Sequence, residues 1–200
     1  MYANSGTYFN VRVRYISGSE LTQPGNSGIL RDTILEDQKW LQLKVVYDNY
    51  FKHIGIWRIG FYNEMVFSSQ PFFSNHTATI AEANSFQPIA DMQTQFLDAY
   101  RAHNYIGFGF KNIITPYNNL DIRLEVYLFQ PFQEILVDNN YKAIYGNAFN
   151  KRYFIATLNP VYHSPFGPIS VSLNYYDKRD KPFSFMVHLG YVLFNRKPLN

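Results

Sequence analysis

The segment Leu120-Asp121-Ile122-Arg123-Leu124-Glu125-Val126-Tyr127-Leu128 decides how the chain is read. Every second residue is aliphatic and the intervening ones are mostly charged. Side chains two apart share a face in an extended strand, so this segment has one apolar and one charged side. The same period recurs. Phe9, Val11, Val13 and Tyr15 alternate with Asn10, Arg12 and Arg14, and Leu41, Leu43, Val45 and Tyr47 alternate with Gln42, Lys44, Val46 and Asp48. Ile169, Val171, Leu173 and Tyr175 enclose small polar residues, and Phe183, Phe185, Val187, Leu189 and Tyr191 enclose Ser184, Met186, His188 and Gly190. Three less regular strands are expected at about 55–68, where Asn63 interrupts the apolar face, at 104–114 and at 152–163. Pro160 predicts a bulge or a strand end in the last of these.

Eight antiparallel strands result, many near the ~9–11 residues that a tilted strand needs to cross a bilayer. The connections expected near 51–54, 115–119 and 164–167 are short. Those at 18–36, 69–103 and 133–150 are long, with only 178–181 breaking the alternation. Short turns on one side and long loops on the other are the pattern of outer-membrane barrels. The fold class predicted is therefore all-β, an antiparallel up-and-down set of transmembrane β-barrel strands over residues 1–200. The faces assigned inward carry Arg12, Arg14, Lys44, Asp48, Arg58, Glu64, Lys111, Asp121, Arg123 and Glu125.

Composition agrees. Aromatic residues make up 18% of the chain, with 17 Tyr and 18 Phe, against 16% charged. Such side chains suit pleated surfaces. No apolar run approaches the ~20 residues of a spanning helix, and the start shows no signal peptide. Cysteine is absent, which excludes disulfides and thiolate metal sites. The net charge of +3 comes from scattered Lys and Arg, which argues against nucleic acid. A soluble barrel or sandwich alternates too, with the aliphatic set as its core and the charges in water. The loop asymmetry and the aromatic load favour the membrane arrangement.

The stretch SPFGPISVSLNYYDKRDKPFSFMVHLGYVLFN at 164–195 resembles the last two strands of the bacterial surface-antigen barrel superfamily, which includes barrel-assembly and two-partner-secretion translocators. The likeness rests on the turn Phe166-Gly167-Pro168, the alternating strand after it, and a final strand with Gly190 and Phe194. QPFFSNHTATI (70–80), YRAHNYIGFGFKNIIT (100–115) and LDIRLEVYLFQPF (120–132) more closely resemble the C-terminal barrel of outer-membrane patatin-like phospholipases. The resemblance implies 16 strands, of which these eight would be the C-terminal half. It makes 69–103 a loop folded into the lumen as a plug. In the family an Arg of an Arg-Gly-aromatic motif on this loop contacts a wall carboxylate. The matching residue is Arg101, with Glu125 or, second, Asp121 as its partner, although the sequence here reads Arg101-Ala102-His103. The implied partners are outer-membrane lipid, the N-terminal remainder of the barrel, an upstream lipase domain and the barrel-assembly machinery.

No catalytic residue, cofactor or metal site is expected. The related phospholipases use a GxSxG elbow in a separate domain, whose sharp turn exposes the serine. Gly25-Asn26-Ser27-Gly28 falls short of that pattern and reads as a turn. His53, His76, His103, His163 and His188 lack metal-ligand spacing. A connection of about 35 residues carrying Phe72, Phe73, Ile80, Phe86, Ile89, Phe96 and Leu97 needs burial, as a plug or as an outer cap. The function expected is an integral outer-membrane module that anchors or positions an upstream lipase domain. The alternatives are a self-contained eight-strand barrel and a soluble β-barrel for an apolar ligand.

Overall fold

A computed structural model describes residues 5–22 and 34–190. Alternation becomes strands throughout: β1 (Gly6–Thr22), β2 (Ile34–Ile54), β3 (Trp57–Ser68), β4 (Tyr105–Tyr117), β5 (Leu120–Pro131), β8 (Tyr153–Ser164), β9 (Gly167–Tyr176) and β10 (Phe183–Leu189). They form one antiparallel sheet in that order, each strand beside its successor. The fold is all-β; among the described residues there is one short α-helix, α1 (His76–Glu82), and two 3-10 turns at Ala90–Thr94 and Asp98–Tyr100. The three turns at 55–56, 118–119 and 165–166 are two residues long, while the described connections at the other end of the sheet are longer.

Some expectations need correction. β1 and β2 pair out to Thr22 and Ile34, deep into the region 18–36 expected to be loop, because Leu21 and Leu35 continue the alternation. The segment 133–150 holds a second, two-stranded sheet of β6 (Ile135–Val137) and β7 (Ala143–Tyr145). Pro160 neither bulges nor ends β8, which keeps a continuous register with β5. Its missing N–H falls where the ladder to β9 lapses, between Leu158 and Val161. Asn63 on the otherwise apolar face of β3 donates to the Gly107 carbonyl at 3.2 Å, which satisfies its amide. Tyr191, Phe194 and Gly25-Asn26-Ser27-Gly28 lie outside the described residues.

The connection 69–103 lies against one face of the sheet, here called inner. Its base is closed by the backbone bonds Phe86 N–H to Tyr100 O and Ala102 N–H to Asn84 O, both 3.0 Å. Asn75 caps α1 by accepting from the Ala78 N–H at 2.8 Å. Phe86, Ile89, Met92, Tyr100 and Ala102 pack on the sheet's Val66, Tyr105, Tyr127, Phe129, Tyr153, Ile155 and Tyr176. A smaller cluster of Ile80, Ala83, Ile135 and Ala143 joins α1 to the β6–β7 hairpin. Burying these side chains offsets the entropy of ordering a long connection.

Two inner-face glycines make the fit possible. A Cβ on Gly107 would lie 2.2 Å from the Phe86 ring, and one on Gly109 would lie 2.4 Å from the Tyr127 ring. Gly107→Ala is therefore expected to lift Phe86 and loosen the loop by about 1–3 kcal/mol, the usual cost of overpacking. Gly18→Ala meets nothing within 4 Å and serves as the neutral control. Denaturation midpoints and protease cleavage within 69–103 read the difference.

Candidate functional site: the inner face and its inserted loop

The burial of this sheet is inverted. Leu124 is 48% exposed and Val126 44%, whereas Arg123 is 4% exposed, Glu64 3% and Asp121 1%. Phe108, Phe110, Leu158, Leu173 and Phe185 are likewise exposed on the outer face. The charged set expected to face inward shares the face that carries the loop, through the register Arg12↔Lys44, Lys44↔Val66 and Lys111↔Glu125.

Charges in so little water require partners. Lys44 Nζ meets Glu64 at 2.6 Å, Lys111 Nζ meets Asp48 at 2.6 Å, and Arg123 Nε reaches Glu125 at 3.4 Å. His163 Nε2 lies 2.9 Å from Asp121. Tyrosines complete the set. Tyr62 and Tyr105 both donate to Glu64 at 2.5 Å, Tyr127 donates to Glu125 at 2.6 Å, and Arg123 donates to the Tyr50 hydroxyl at 2.9 Å. Tyr153 donates to Glu134. A neutral hydroxyl donor stabilises a buried carboxylate without bringing in a second charge.

The loop joins this network from above. Asp91 accepts from Tyr176 at 2.5 Å and from Ser184 at 2.6 Å, tying its tip to β9 and β10. Tyr100 donates to Asp177 at 3.0 Å, and burial pushes its phenol well above the usual range. At the other side Gln42 on β2 donates to Asn84. A small polar cavity of about 140 Å³ remains beneath the tip, lined by Asp91, Arg123, Glu125, Asn159, Asn174 and His188. Among the described residues no group of three His, Asp or Glu is placed to hold a metal ion.

The contact implied for Arg101 is not the one formed. Its guanidinium donates to the carbonyls of Ala81 at 2.7 Å and Ala83 at 3.1 Å, and lies 4.4 Å from the centre of the Phe96 ring. Glu125 is held by Arg123 and Tyr127, while Asp121 accepts from Thr115 at 2.6 Å and faces His163. Arg101 stands at the last turn of α1, where open carbonyls attract a cation, and it braces the loop internally. Ala102 is fully buried at the position where the related motif has glycine. Asp91 and Tyr100, which together with Asn84 link loop to wall, were missed. The wall's own pairs did leave a signal, the spacings Tyr62-x-Glu64 and Glu125-x-Tyr127, which place hydroxyl and carboxylate on one face, whereas no such spacing marks Asp91 or Tyr100.

His103 closes the loop against the β6–β7 hairpin, with Nδ1 2.7 Å from the Tyr145 hydroxyl and the Phe72 ring beside it. Burial lowers its pKa to about 4. No family model matches the chain, and no curated protein or solved structure matches it either.

Two predictions follow from these contacts. Arg101→Ala and Glu125→Ala should add to within about 0.5 kcal/mol, whereas Asp91→Asn and Tyr176→Phe should couple, as contacting pairs do; a double-mutant cycle by denaturation reads both. The second concerns acid. His103 takes up a proton near pH 6.5 in the unfolded chain but only near 4 in the fold. Its contribution is complete above pH 6.5 and is lost as pH falls through 4, at about 1.4 kcal/mol per unit. Hydrogen-exchange protection factors in 69–103, corrected for the intrinsic pH dependence of amide exchange, should therefore fall below pH 6.5, and His103→Gln should flatten that fall.

Proposed function

We propose that this chain is the wall of an outer-membrane β-barrel, with the outer face against hydrocarbon and the loop 69–103 plugging a lumen. The inverted burial carries the proposal: a sheet that exposes Leu124 and buries Arg123 suits an apolar surrounding. The outer face supports it further. On β2 the outward side chains after Lys39 are Leu41, Leu43, Val45, Tyr47 and Asn49, followed by exposed Phe51 at a bulge before Lys52. Trp57, Tyr117, Tyr162 and Phe166 are exposed towards the short-turn end, and Tyr15, Phe67, Phe132, Phe154 and Phe183 towards the long-loop end. Two aromatic girdles of this kind flank the apolar band of such barrels.

The biochemical role we propose is anchorage. On the resemblance to patatin-like phospholipases, the eight strands supply the C-terminal half of a 16-strand barrel. The remaining partners are the N-terminal half, an upstream lipase domain and the barrel-assembly machinery. The edges of β1 and β10 have no strand partner among the described residues. In lipid each unpaired backbone group costs several kcal/mol, so a completing set of strands is required. A reading frame upstream of Met1 that encodes a patatin-type domain is the expected finding; its absence removes the lipase from the proposal and leaves the barrel.

The barrel itself is tested by folding into lipid vesicles, followed by heat-modifiable gel mobility. Leu124→Arg should block insertion, with a penalty of about 2–4 kcal/mol at the bilayer midplane. Arg123→Leu should still insert but unfold more readily, because Glu125 loses its cation. Equal insertion of both variants would refute the assignment of faces.

A further inference from the structure

At the long-loop end of the outer face an open groove of about 330 Å³ lies over β3, β4 and β5. Phe67, Ile106 and Gln130 enter it from the three strands, and Phe132 and Phe149 from the segment beyond β5. The last two rings meet edge to face at 5.0 Å. Phe149 holds a φ of 54°, a conformation that bulky L residues rarely adopt. It is kept there by its N–H bond of 2.8 Å to the Phe132 carbonyl, and its ring is still 55% exposed. Strained backbone that displays an open aromatic ring points to a use for that ring.

Gln130, which lines the groove, also positions a cation. Gln130 donates to the Lys151 carbonyl at 2.8 Å and accepts from Arg152 Nε at 3.0 Å. Arg152 is exposed and precedes outward-facing Phe154 by two, so it stands at the rim of the uncharged outer band. Its terminal guanidinium nitrogens have no partner among the described residues.

We propose that this groove binds an anionic, phosphate-bearing lipid, an inference that rests on the membrane assignment above. The acyl chain lies against Phe67, Ile106, Phe132 and Phe149, and Arg152 takes the phosphate. Charge complementarity selects the occupant, because guanidinium matches phosphate geometry and Gln130 fixes its orientation in advance. The groove is continuous with the apolar outer face, so a chain already packed there can enter it without crossing water.

The experiment places a reporter in the groove as Phe132→Trp, with Phe67→Trp as a second position should the first not fold. The full chain is folded into phosphatidylcholine vesicles containing acyl-brominated lipid, and the signal of native Trp40 and Trp57 is subtracted. Brominated phosphatidylglycerol should quench the reporter at a mole fraction several-fold below that needed with brominated phosphatidylcholine. Arg152→Gln should abolish the difference and leave quenching by phosphatidylcholine unchanged. Equal quenching by the two lipids, or a preference that survives Arg152→Gln, overturns the lipid site and leaves the membrane assignment standing. A folded protein quenched by neither lipid overturns both.

Discussion

The carboxylate of Glu64 sits where three strands and the inserted loop meet, and the inner face is organised around its neutralisation. Lys44 reaches it from β2, Tyr62 from its own strand and Tyr105 from β4. The Tyr105 hydroxyl also lies 3.1 Å from the Ser85 carbonyl, so the contact extends into the loop. A buried charge with one partner removed costs several kcal/mol. Register between β2, β3 and β4 is thereby tied to electrostatics as well as to backbone pairing: a one-residue slip of β3 would turn Glu64 to the opposite face and separate it from Lys44 and Tyr105.

This constraint explains why the loop has to be where it is. The polar network alone would leave Val66, Phe129, Tyr153 and Ile155 uncovered on the inner face. Phe86, Ile89 and Met92 cover them and in turn bury themselves. The fit needs the bare backbone of Gly107, because the Phe86 ring occupies the space a side chain would fill. Sheet and loop therefore form one core, with apolar packing at its centre and charged pairs around it. Asp91 secures the far end on β9 and β10.

The strands were legible because period 2 is a local property: eight segments and their two faces can be read from Leu120–Leu128 and its counterparts. Burial of the long connection was legible too, from its length and aromatic content. Its contacts were not. Nothing in the sequence near Arg101 says that its guanidinium caps the carbonyls at the end of α1, since that depends on a helix only seven residues long. The pairing of Asp91 with Tyr176 spans 85 residues and needs the loop's fold as well as the sheet's. Likewise β6 and β7 are three residues each, too short for periodicity to register, and owe their existence to packing on α1.

The two faces differ in how sequence specifies them. The outer face repeats interchangeable aliphatic and aromatic side chains, and exchange among them alters little in an apolar surrounding. The inner face is a set of particular pairs in which each residue type is needed. The gradient across the sheet follows from this. Glu64, Lys111 and Arg123, in the middle, are buried among partners, whereas Arg12 and Arg14 on the edge strand β1 share the inner face and remain exposed. Inner-face cations at an open edge are the positions that a neighbouring strand would cover and pair. The side chains of β1 thus make the same demand as its backbone edge, which has no strand partner among the described residues, and the proposed further strands would meet both.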